Sequence, residues 1–276
     1  MLHIATVHHR SPQWIEIQAR HLREHISVPY KTWTSLEGID PSYAVHFDRV
    51  IDQVGGHPAK LNNLATEISH EAEDSDLLMF LDGDAFPIAD PMPLILDGLA
   101  RAPLIAVRRA ENGGDEQPHP CFCVTTVGTW RGLPGDWTGA YRWTLPDGRR
   151  PTDVGGNLLR TLELTETPWV EILRSNPLQA DPLMFAIYGD TIYHHGAGFR
   201  QRGGASRGHY DSQPKPLPVP RSLILREVVN KIDKARVLAW RLKTRGPQMV
   251  ESKRVLEKIQ RGGPDWLAEI KSGSVR

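Results

Sequence analysis

The sequence predicts an α/β fold in which a mixed, mostly parallel sheet is flanked by helices. Two observations indicate it: short apolar runs alternate with amphipathic segments over residues 1–110, and the run from Leu77 to Leu81 is continuously apolar. A strand that is apolar at every residue, rather than at alternate ones, is typical of a sheet covered on both faces. Alternating strands and helices place successive parallel strands side by side in such a sheet.

The expected elements follow in chain order. Strands are expected over LHIATV, YKTWTSL, DLLMFLDGD and PLIAVRR, and helices over SPQWIEIQARHLREH, HPAKLNNLATEISHEA and PMPLILDGLAR. Ser11-Pro12 is a helix-opening signal. From His119 the pattern becomes irregular and rich in Trp, Gly and Pro, which is typical of long loops around a binding cleft. A late strand, AIYGDTIYHH, is expected to end at His194 and His195.

Composition and charge suggest how the chain is divided. Its 276 residues carry no net charge, and 39% are hydrophobic and 24% charged, as expected of a soluble globular protein. Residues 215–276 nevertheless contain 15 Lys and Arg against 6 Asp and Glu. The sequence therefore predicts a main domain over 1–212, a Pro-rich linker over 213–220 and a basic helical tail over 221–276. In the tail, an amphipathic helix is expected up to Arg245 and a shorter one over 250–259.

The sequence indicates a cytoplasmic location. MLHIATVHHR lacks the regions of a secretory signal, and no apolar run is long enough to span a bilayer. Cys121 and Cys123 lie two apart in PCFCVTT, where a strand would point both to one face. This spacing disfavours a mutual disulfide. We interpret them as small buried side chains in a reducing compartment.

The basic tail allows three interpretations. It could pack on the acidic main domain, contact anionic lipid at the inner face of a membrane, or bind an acidic partner. Nucleic acid is not expected, because no aromatic platform accompanies the charge.

Asp82 and Asp84 follow the apolar run and are separated by Gly83. Two carboxylates this close are costly unless a positive group lies between them. In parallel sheets, ligands bind beyond the carboxyl ends of the strands. Mg²⁺ and Mn²⁺ bind carboxylate oxygens and often bind phosphate oxygens at the same time. The pair is therefore predicted to hold a divalent cation, with a solvated turn as the alternative. Gly83 is expected to let the backbone turn tightly enough for both acids to face one pocket.

An apolar strand that ends in Asp-x-Asp resembles the nucleotide-sugar glycosyltransferases of the GT-A fold, which is Rossmann-type. In ATVHHR, at the end of the first strand, the resemblance implies donor-binding roles for Thr6, His8 and Arg10. GGHPAKLNNLA resembles the family's helix that directs a basic residue and an Asn towards the donor, here Lys60 and Asn63.

The resemblance covers about residues 1–205 and implies the rest of a metal and donor site. The implied metal ligands are Asp82, Asp84, His194 and His195, and Asp82 would also contact the donor. Only one of the two histidines can face the pocket, because strand side chains alternate. The Gly- and Arg-rich GAGFRQRGG implies phosphate contacts from Arg200 and Arg202. Residues 1–212 would then form a GT-A-like nucleotide-sugar-binding and catalytic domain.

Asp153 precedes an expected helix in PTDVGGNLLRTLEL, where a helix N-cap would be sufficient reason for an Asp. The resemblance implies a catalytic or sugar-binding acid at this point of the chain, either as the general base for the acceptor or in contact with the donor sugar. Thr152 precedes it, so the Glu-Asp pair of many inverting members is absent and the stereochemical course stays open. Trp130 and Trp137 are candidates for stacking on an acceptor sugar, with core packing as the alternative.

The implied function is transfer of a sugar from a UDP- or GDP-linked donor to a saccharide, lipid or small-molecule acceptor, with Mn²⁺ or Mg²⁺ as cofactor. Three alternatives stay open. A haloacid-dehalogenase-like phosphatase also has Asp-x-Asp after an apolar strand, but a Thr or Val is expected where Phe86 stands. A nucleotidyltransferase would need a Gly-rich basic loop after the first strand. A carbohydrate-binding protein could have kept the fold without turnover.

Overall fold

The computed structural model describes residues 1–52, 54–112, 114–145, 148, 150–178, 183–196, 217–218, 223–263 and 265–274. The main sheet contains seven strands: β1 (Leu2–His9), β2 (Tyr30–Glu37), β3 (Arg49–Val50), β4 (Leu77–Asp82), β6 (Leu104–Val107), β7 (His119–Thr126) and β8 (Val170–Ile172). Their order is β3-β2-β1-β4-β7-β6-β8. Only β7 runs antiparallel to its neighbours. This mixed, mostly parallel sheet confirms the predicted fold class.

A second, antiparallel sheet of three strands lies beyond the end of β4. It consists of β5 (Ala85–Pro87), β9 (Ala186–Tyr188) and β10 (Ile192–His194), in the order β5-β10-β9. The single late strand expected from the sequence is therefore wrong, because β9 and β10 form a hairpin. Gly189 and Asp190 reverse the chain with φ angles of 54° and 56°, the left-handed values that a tight hairpin turn requires.

Helices cover both faces of the main sheet and extend to the C-terminal end of the described chain. They are α1 (Gln13–His25), α2 (His57–Glu71), α3 (Met92–Arg101), α4 (Val127–Gly132), α5 (Gly156–Leu164), α6 (Leu223–Arg261) and α7 (Asp265–Ser272). Met79 and Phe80 are neighbours on β4 but belong to apolar clusters on opposite faces of the sheet. This two-sided burial explains why β4 is continuously apolar.

Strand β7 corrects two expectations. The region from His119 was expected to be irregular, yet it supplies a central eight-residue strand. Its register against β6 shifts between the pairs Ala106–Cys123 and Val107–His119, so β7 contains a bulge that re-aims its side chains. Cys121 and Cys123 are both buried and free, but they belong to clusters on opposite faces. The bulge removes the simple alternation that predicted a shared face.

The C-terminal region contains one long helix where two were expected. Helix α6 continues through Gly246 and Pro247, where the sequence predicted a break between two helices. Its N-terminal part exposes an apolar stripe of Leu225, Val228 and Ile232, which are 45–54% accessible. Among the described residues, no helix has the length and apolar character needed to cross a bilayer.

The C-terminal turns of α6 and helix α7 pack against α1 and the three-stranded sheet. Their buried side chains join one apolar cluster, which contains Val255, Leu256, Ile259, Trp266 and Ile270 from the tail and Trp14, Phe86 and Tyr193 from the preceding chain. Most of the predicted linker, 213–220, lies outside the described residues, so its boundaries stay predictions.

Candidate metal and donor site

Pairing between the two sheets brings Asp82, Asp84 and His194 together. Strand β4 ends at Asp82, and β5 begins at Ala85, which pairs with His194 on β10. The backbone N–H of His195 also donates to the carbonyl of Asp84 at 3.0 Å. His194 Nε2 consequently lies 3.4 Å from Asp84 Oδ1 and 3.8 Å from Asp82 Oδ2. One ligand atom from each of the three residues lies within 4.8 Å of the others.

The chemistry of this group fits a divalent cation. Asp82 Oδ1 and His194 Nδ1 are both buried. Burial opposes charge on His194 and on Asp84, yet Cys121 and Asp84 raise the pKa of His194, and His194 lowers the pKa of Asp84. A protonated imidazole at this position would neutralise part of the charge of the two carboxylates. A divalent cation can take over this neutralising role through the carboxylate oxygens and a neutral imidazole.

Two further histidines surround Asp82 and were missed in the sequence. His57, at the start of α2, places Nε2 3.2 Å from Asp82 Oδ1, and His119, at the start of β7, places Nδ1 3.9 Å from Asp82 Oδ2. The Nδ1 atom of His119 also accepts the backbone N–H of Cys121 at 3.1 Å. The bulge in β7 brings His119 to Asp82, and the packing of α2 brings His57 there. Both are long-range effects, so no local sequence pattern predicts these two contacts.

His195 does not face this group, although it was a candidate ligand. One of its ring nitrogens, Nδ1, lies 2.9 Å from the Tyr193 hydroxyl, and the other, Nε2, lies 2.7 Å from the Ser252 hydroxyl. Alternation along the strand explains the difference, since His194 and His195 must point to opposite sides. Of the two histidines, His194 is therefore the one that faces Asp82 and Asp84.

Gly83 is required because neighbouring atoms leave no room for a side chain at this position. A Cβ atom at this position would lie 2.6 Å from the Val7 carbonyl oxygen and 2.8 Å from His8 Nδ1. The φ angle of Gly83 is not positive, so the backbone conformation alone does not require a glycine here. The close approach of β1 leaves no room for a side chain between the two acids.

Thr6 and His8 are buried behind the turn formed by Asp82, Gly83 and Asp84, here called the acidic turn. Both are fully buried, and the Thr6 hydroxyl and His8 Nε2 each lie 3.2 Å from Gln18 Oε1. The Gln18 amide donates to the carbonyls of Asp82 and Ala85 at 2.9 and 2.7 Å. Gln18, which the sequence did not single out, therefore fixes the turn to α1. Burial lowers the pKa of His8 to about 4, so this network contains a neutral imidazole at pH 7.

The remaining residues predicted to contact the donor lie at the end of β1, on α2 and outside the described residues. Arg10 is exposed at the carboxyl end of β1. Lys60 is buried and donates a hydrogen bond to the Glu37 carboxylate. The hydrogen bonds from Lys60 and His9 lower the pKa of the Glu37 carboxyl. Asn63 is exposed on α2. Arg200 and Arg202 lie outside the described residues.

Asp153 forms an ion pair with a buried arginine. Its Oδ2 lies 3.2 Å from Arg109, which also contacts Asp115 at 2.5 Å. The pKa of Arg109 is raised despite its burial, since Asp115 and Asp153 stabilise the cation. The N-cap of α5 is Gly155, with a φ angle of 88°, so the N-cap explanation of Asp153 is wrong. A Cβ at Gly155 would lie 2.2 Å from the Pro118 carbonyl, which places the start of α5 against the residue preceding His119.

Trp130 and Trp137 belong to the core, which corrects their prediction as acceptor contacts. They are 6% and 0% accessible and lie in the apolar cluster that covers one face of the main sheet. Their ring centroids are 5.8 Å apart, and both rings contact Phe80. Neither ring leaves a face open for stacking on a sugar.

Comparison with known proteins gives matches among solved structures only. No protein-family model matches the chain, and no curated protein matches it. S. aureus TarS 1–349 in complex with UDP-GlcNAc is similar at a TM-score of 0.38 and 10% identity, over 50% of this chain and 48% of that chain. The chain thus spans about half the length of that 1–349 chain.

Two further structures are similar over a larger share of the chain. The mannosyltransferase PcManGT from Pyrobaculum calidifontis, in complex with GDP-Man and Mn²⁺, matches at a TM-score of 0.42 and 14% identity, over 64% of this chain and 57% of that one. The galactosyltransferase LgtC, in complex with donor and acceptor sugar analogs, matches at a TM-score of 0.40 and 12% identity. The match covers 64% of this chain and 76% of that one.

Proposed function

We propose that this chain is a metal-dependent glycosyltransferase that moves a sugar from a nucleoside diphosphate donor to an acceptor hydroxyl. The observation that carries the proposal is the grouping of Asp82, Asp84 and His194 beyond the carboxyl end of β4, where one ligand atom from each residue lies within 4.8 Å of the others. Two carboxylates this close together are costly unless a positive charge lies between them. A divalent cation that binds there would supply this charge.

The three residues would hold Mn²⁺ or Mg²⁺. When bound, the cation would neutralise the negative charge that develops on the departing diphosphate. The imidazole of His194 favours Mn²⁺, because Mg²⁺ prefers an all-oxygen shell. His57, which is half-exposed beside Asp82, is suited to donate a hydrogen bond to a phosphate oxygen. Arg200 and Arg202 keep their proposed role as phosphate contacts.

Asp153 is proposed to accept a hydrogen bond from a substrate hydroxyl. Its carboxylate is partly exposed and is oriented by Arg109 on one oxygen and by the N–H of Val154, at 2.9 Å, on the other. A carboxylate fixed in this way can either take the proton of the acceptor or hold the donor sugar. Donor nucleosides are proposed to be UDP or GDP, with a saccharide, lipid or small-molecule acceptor.

The exposed part of α6 is proposed to contact an anionic membrane surface. Leu225, Val228 and Ile232 form one apolar stripe, and Lys231 and Lys234 lie beside it, exposed. An apolar stripe bordered by lysines is the arrangement that binds the interface of anionic lipids. The proposed location is cytoplasmic, at the inner face of the membrane.

The proposal can be tested with a panel of UDP- and GDP-sugars in the presence of Mn²⁺. A donor that binds the folded state should raise its melting temperature, and slow metal-dependent release of the nucleoside diphosphate should accompany binding. Hydrolysis of phosphomonoesters instead would identify a phosphatase. Formation of pyrophosphate from a nucleoside triphosphate and a sugar phosphate would identify a nucleotidyltransferase. Binding without release in the presence of acceptors would identify a carbohydrate-binding protein.

A further inference from the structure

His195 connects the candidate metal site to the C-terminal helices. Its backbone N–H donates to the carbonyl of Asp84 at 3.0 Å, and its carbonyl accepts the N–H of Phe185 at 3.1 Å. Its side chain points the other way, into the cluster where α6 packs on β10. Any displacement of His195 would therefore move both Asp84, through the hydrogen bond, and His194, through the peptide bond.

Ser252 of α6 supplies the partner on the tail side. It is 1% accessible, and its hydroxyl lies 2.7 Å from His195 Nε2, while the hydroxyl of Tyr193 lies 2.9 Å from Nδ1. Each hydroxyl can donate or accept a hydrogen bond. The two hydroxyls therefore meet the two ring nitrogens of His195 and fix the orientation of the ring.

Other contacts around His195 make this arrangement rigid. The ring centroid of Trp14 lies 4.5 Å from that of His195, and the Phe185 ring meets it edge-on at 5.2 Å. Two tethers besides Ser252 bind the tail to the same region: Arg20 donates to the Ile259 carbonyl at 3.0 Å, and Asn176 donates to the Ile270 carbonyl at 3.3 Å. The tail is therefore held beside β10 by polar contacts as well as by apolar packing.

We propose that Ser252 is a positioning residue of the metal site, through which the C-terminal helix α6 fixes β10 and thereby the placement of His194 and Asp84. This inference rests on the proposed function. It makes the C-terminal extension part of the catalytic unit, although the sequence separates it from residues 1–212 by a Pro-rich segment. Supporting residues of this kind affect metal affinity because they orient the residues that bind the ion.

The test is titration of the full chain with Mn²⁺ alone. Binding is measured by calorimetry or by the electron paramagnetic resonance signal of free Mn²⁺. Ser252→Ala should weaken Mn²⁺ binding about tenfold, the lower range seen for supporting residues, and Ser252→Thr, which keeps the hydroxyl, should restore most of it. Tyr193→Phe removes the hydroxyl that lies 2.9 Å from His195 Nδ1, changes no residue of the tail and should weaken Mn²⁺ binding similarly. Tyr193→Phe decides the question if Ser252→Ala fails to fold.

Leu256→Ala is the matched control. Leu256 is buried in the same interface, and its side chain is apolar. Its truncation should lower the melting temperature more than Ser252→Ala does, and should leave the Mn²⁺ affinity within twofold of wild type. Mn²⁺ affinity within twofold of wild type in folded Ser252→Ala or Tyr193→Phe protein would overturn the inference. A wild-type chain that binds no Mn²⁺ would instead overturn the proposed metal-dependent function, and the inference with it.

Discussion

His194 Nε2 lies 3.4 Å from Asp84 Oδ1, because β10 pairs antiparallel with the strand that follows the acidic turn. Asp84→Asn should remove a charged ligand at this contact. We expect Mn²⁺ binding to be lost and donor turnover to fall at least about a hundredfold, with little change in melting temperature. Asp97→Asn, at an exposed carboxylate on α3, should leave both measurements unchanged. An Asp84→Asn protein with wild-type turnover would refute the metal assignment.

Gly83→Ala should destabilise the fold, because its Cβ would lie 2.6 Å from the Val7 carbonyl oxygen. Relief of such a contact requires movement of β1 or the acidic turn, at a cost of about 1–3 kcal/mol in the free energy of unfolding. Gly132→Ala is the control, since no atom lies within 4 Å of the added Cβ. Urea denaturation of the two variants measures the difference. Equal stability of the two would show that the backbone contact is not as close as described.

Trp130→Ala should act on stability rather than on substrate binding. The side chain is 6% accessible and packs on Phe80 and Trp137, so its truncation should cost about 3–5 kcal/mol. Leu164→Ala, at a side chain that is 74% accessible, should cost little. The measurement is chemical denaturation together with the melting-temperature shift on donor binding. A stable Trp130→Ala protein with weakened acceptor binding would restore the acceptor role.

His21 should make the protein less stable in acid. Burial, with help from Arg20 and His25, lowers the pKa of His21 to about 4, and its Nδ1 lies 3.1 Å from the Pro87 carbonyl. Because the unfolded chain takes up the proton near pH 6.5, this contribution to stability is complete above that pH and is lost as the pH falls towards 4. The slope contributed within this window is up to about 1.4 kcal/mol per pH unit.

The variant His21→Gln keeps a donor for the Pro87 carbonyl and removes the titrating group. Its stability should therefore depend less on pH between 6.5 and 4 than that of the wild type. His70→Gln, at an exposed position on α2, should leave the slope unchanged. Unfolding curves at several pH values give the comparison, and an unchanged slope in His21→Gln would contradict the prediction.

The exposed half of α6 should bind vesicles that contain phosphatidylserine and not vesicles of phosphatidylcholine alone. Lys231→Glu with Lys234→Glu should abolish cosedimentation, because each basic residue near an anionic surface contributes about 1 kcal/mol. Lys253→Glu changes the same charge in the half of α6 that packs on the protein and should have a much smaller effect. Equal cosedimentation with both lipid compositions would exclude the electrostatic contact.

The sequence predicted what short-range patterns determine. The strand β4, its burial on both faces and the position of Asp82 and Asp84 at its end follow from one continuous apolar run. The positions of His57, His119 and Arg109 depend on long-range packing and on a bulge in β7, which have no local signature. The burial of Trp130 could not be predicted from the sequence either. A tryptophan in a Gly- and Pro-rich segment can have its ring either buried or exposed.

The acidic turn also joins two structural layers. Asp82 belongs to the seven-stranded sheet, whereas His194 belongs to the three-stranded one. A cation shared by these residues would cross-link the two layers, so that metal loading and local opening become a single equilibrium. Amide hydrogen exchange along β5 and β10 should then slow in proportion to the occupancy of the ion, which makes backbone protection a direct readout of metal affinity.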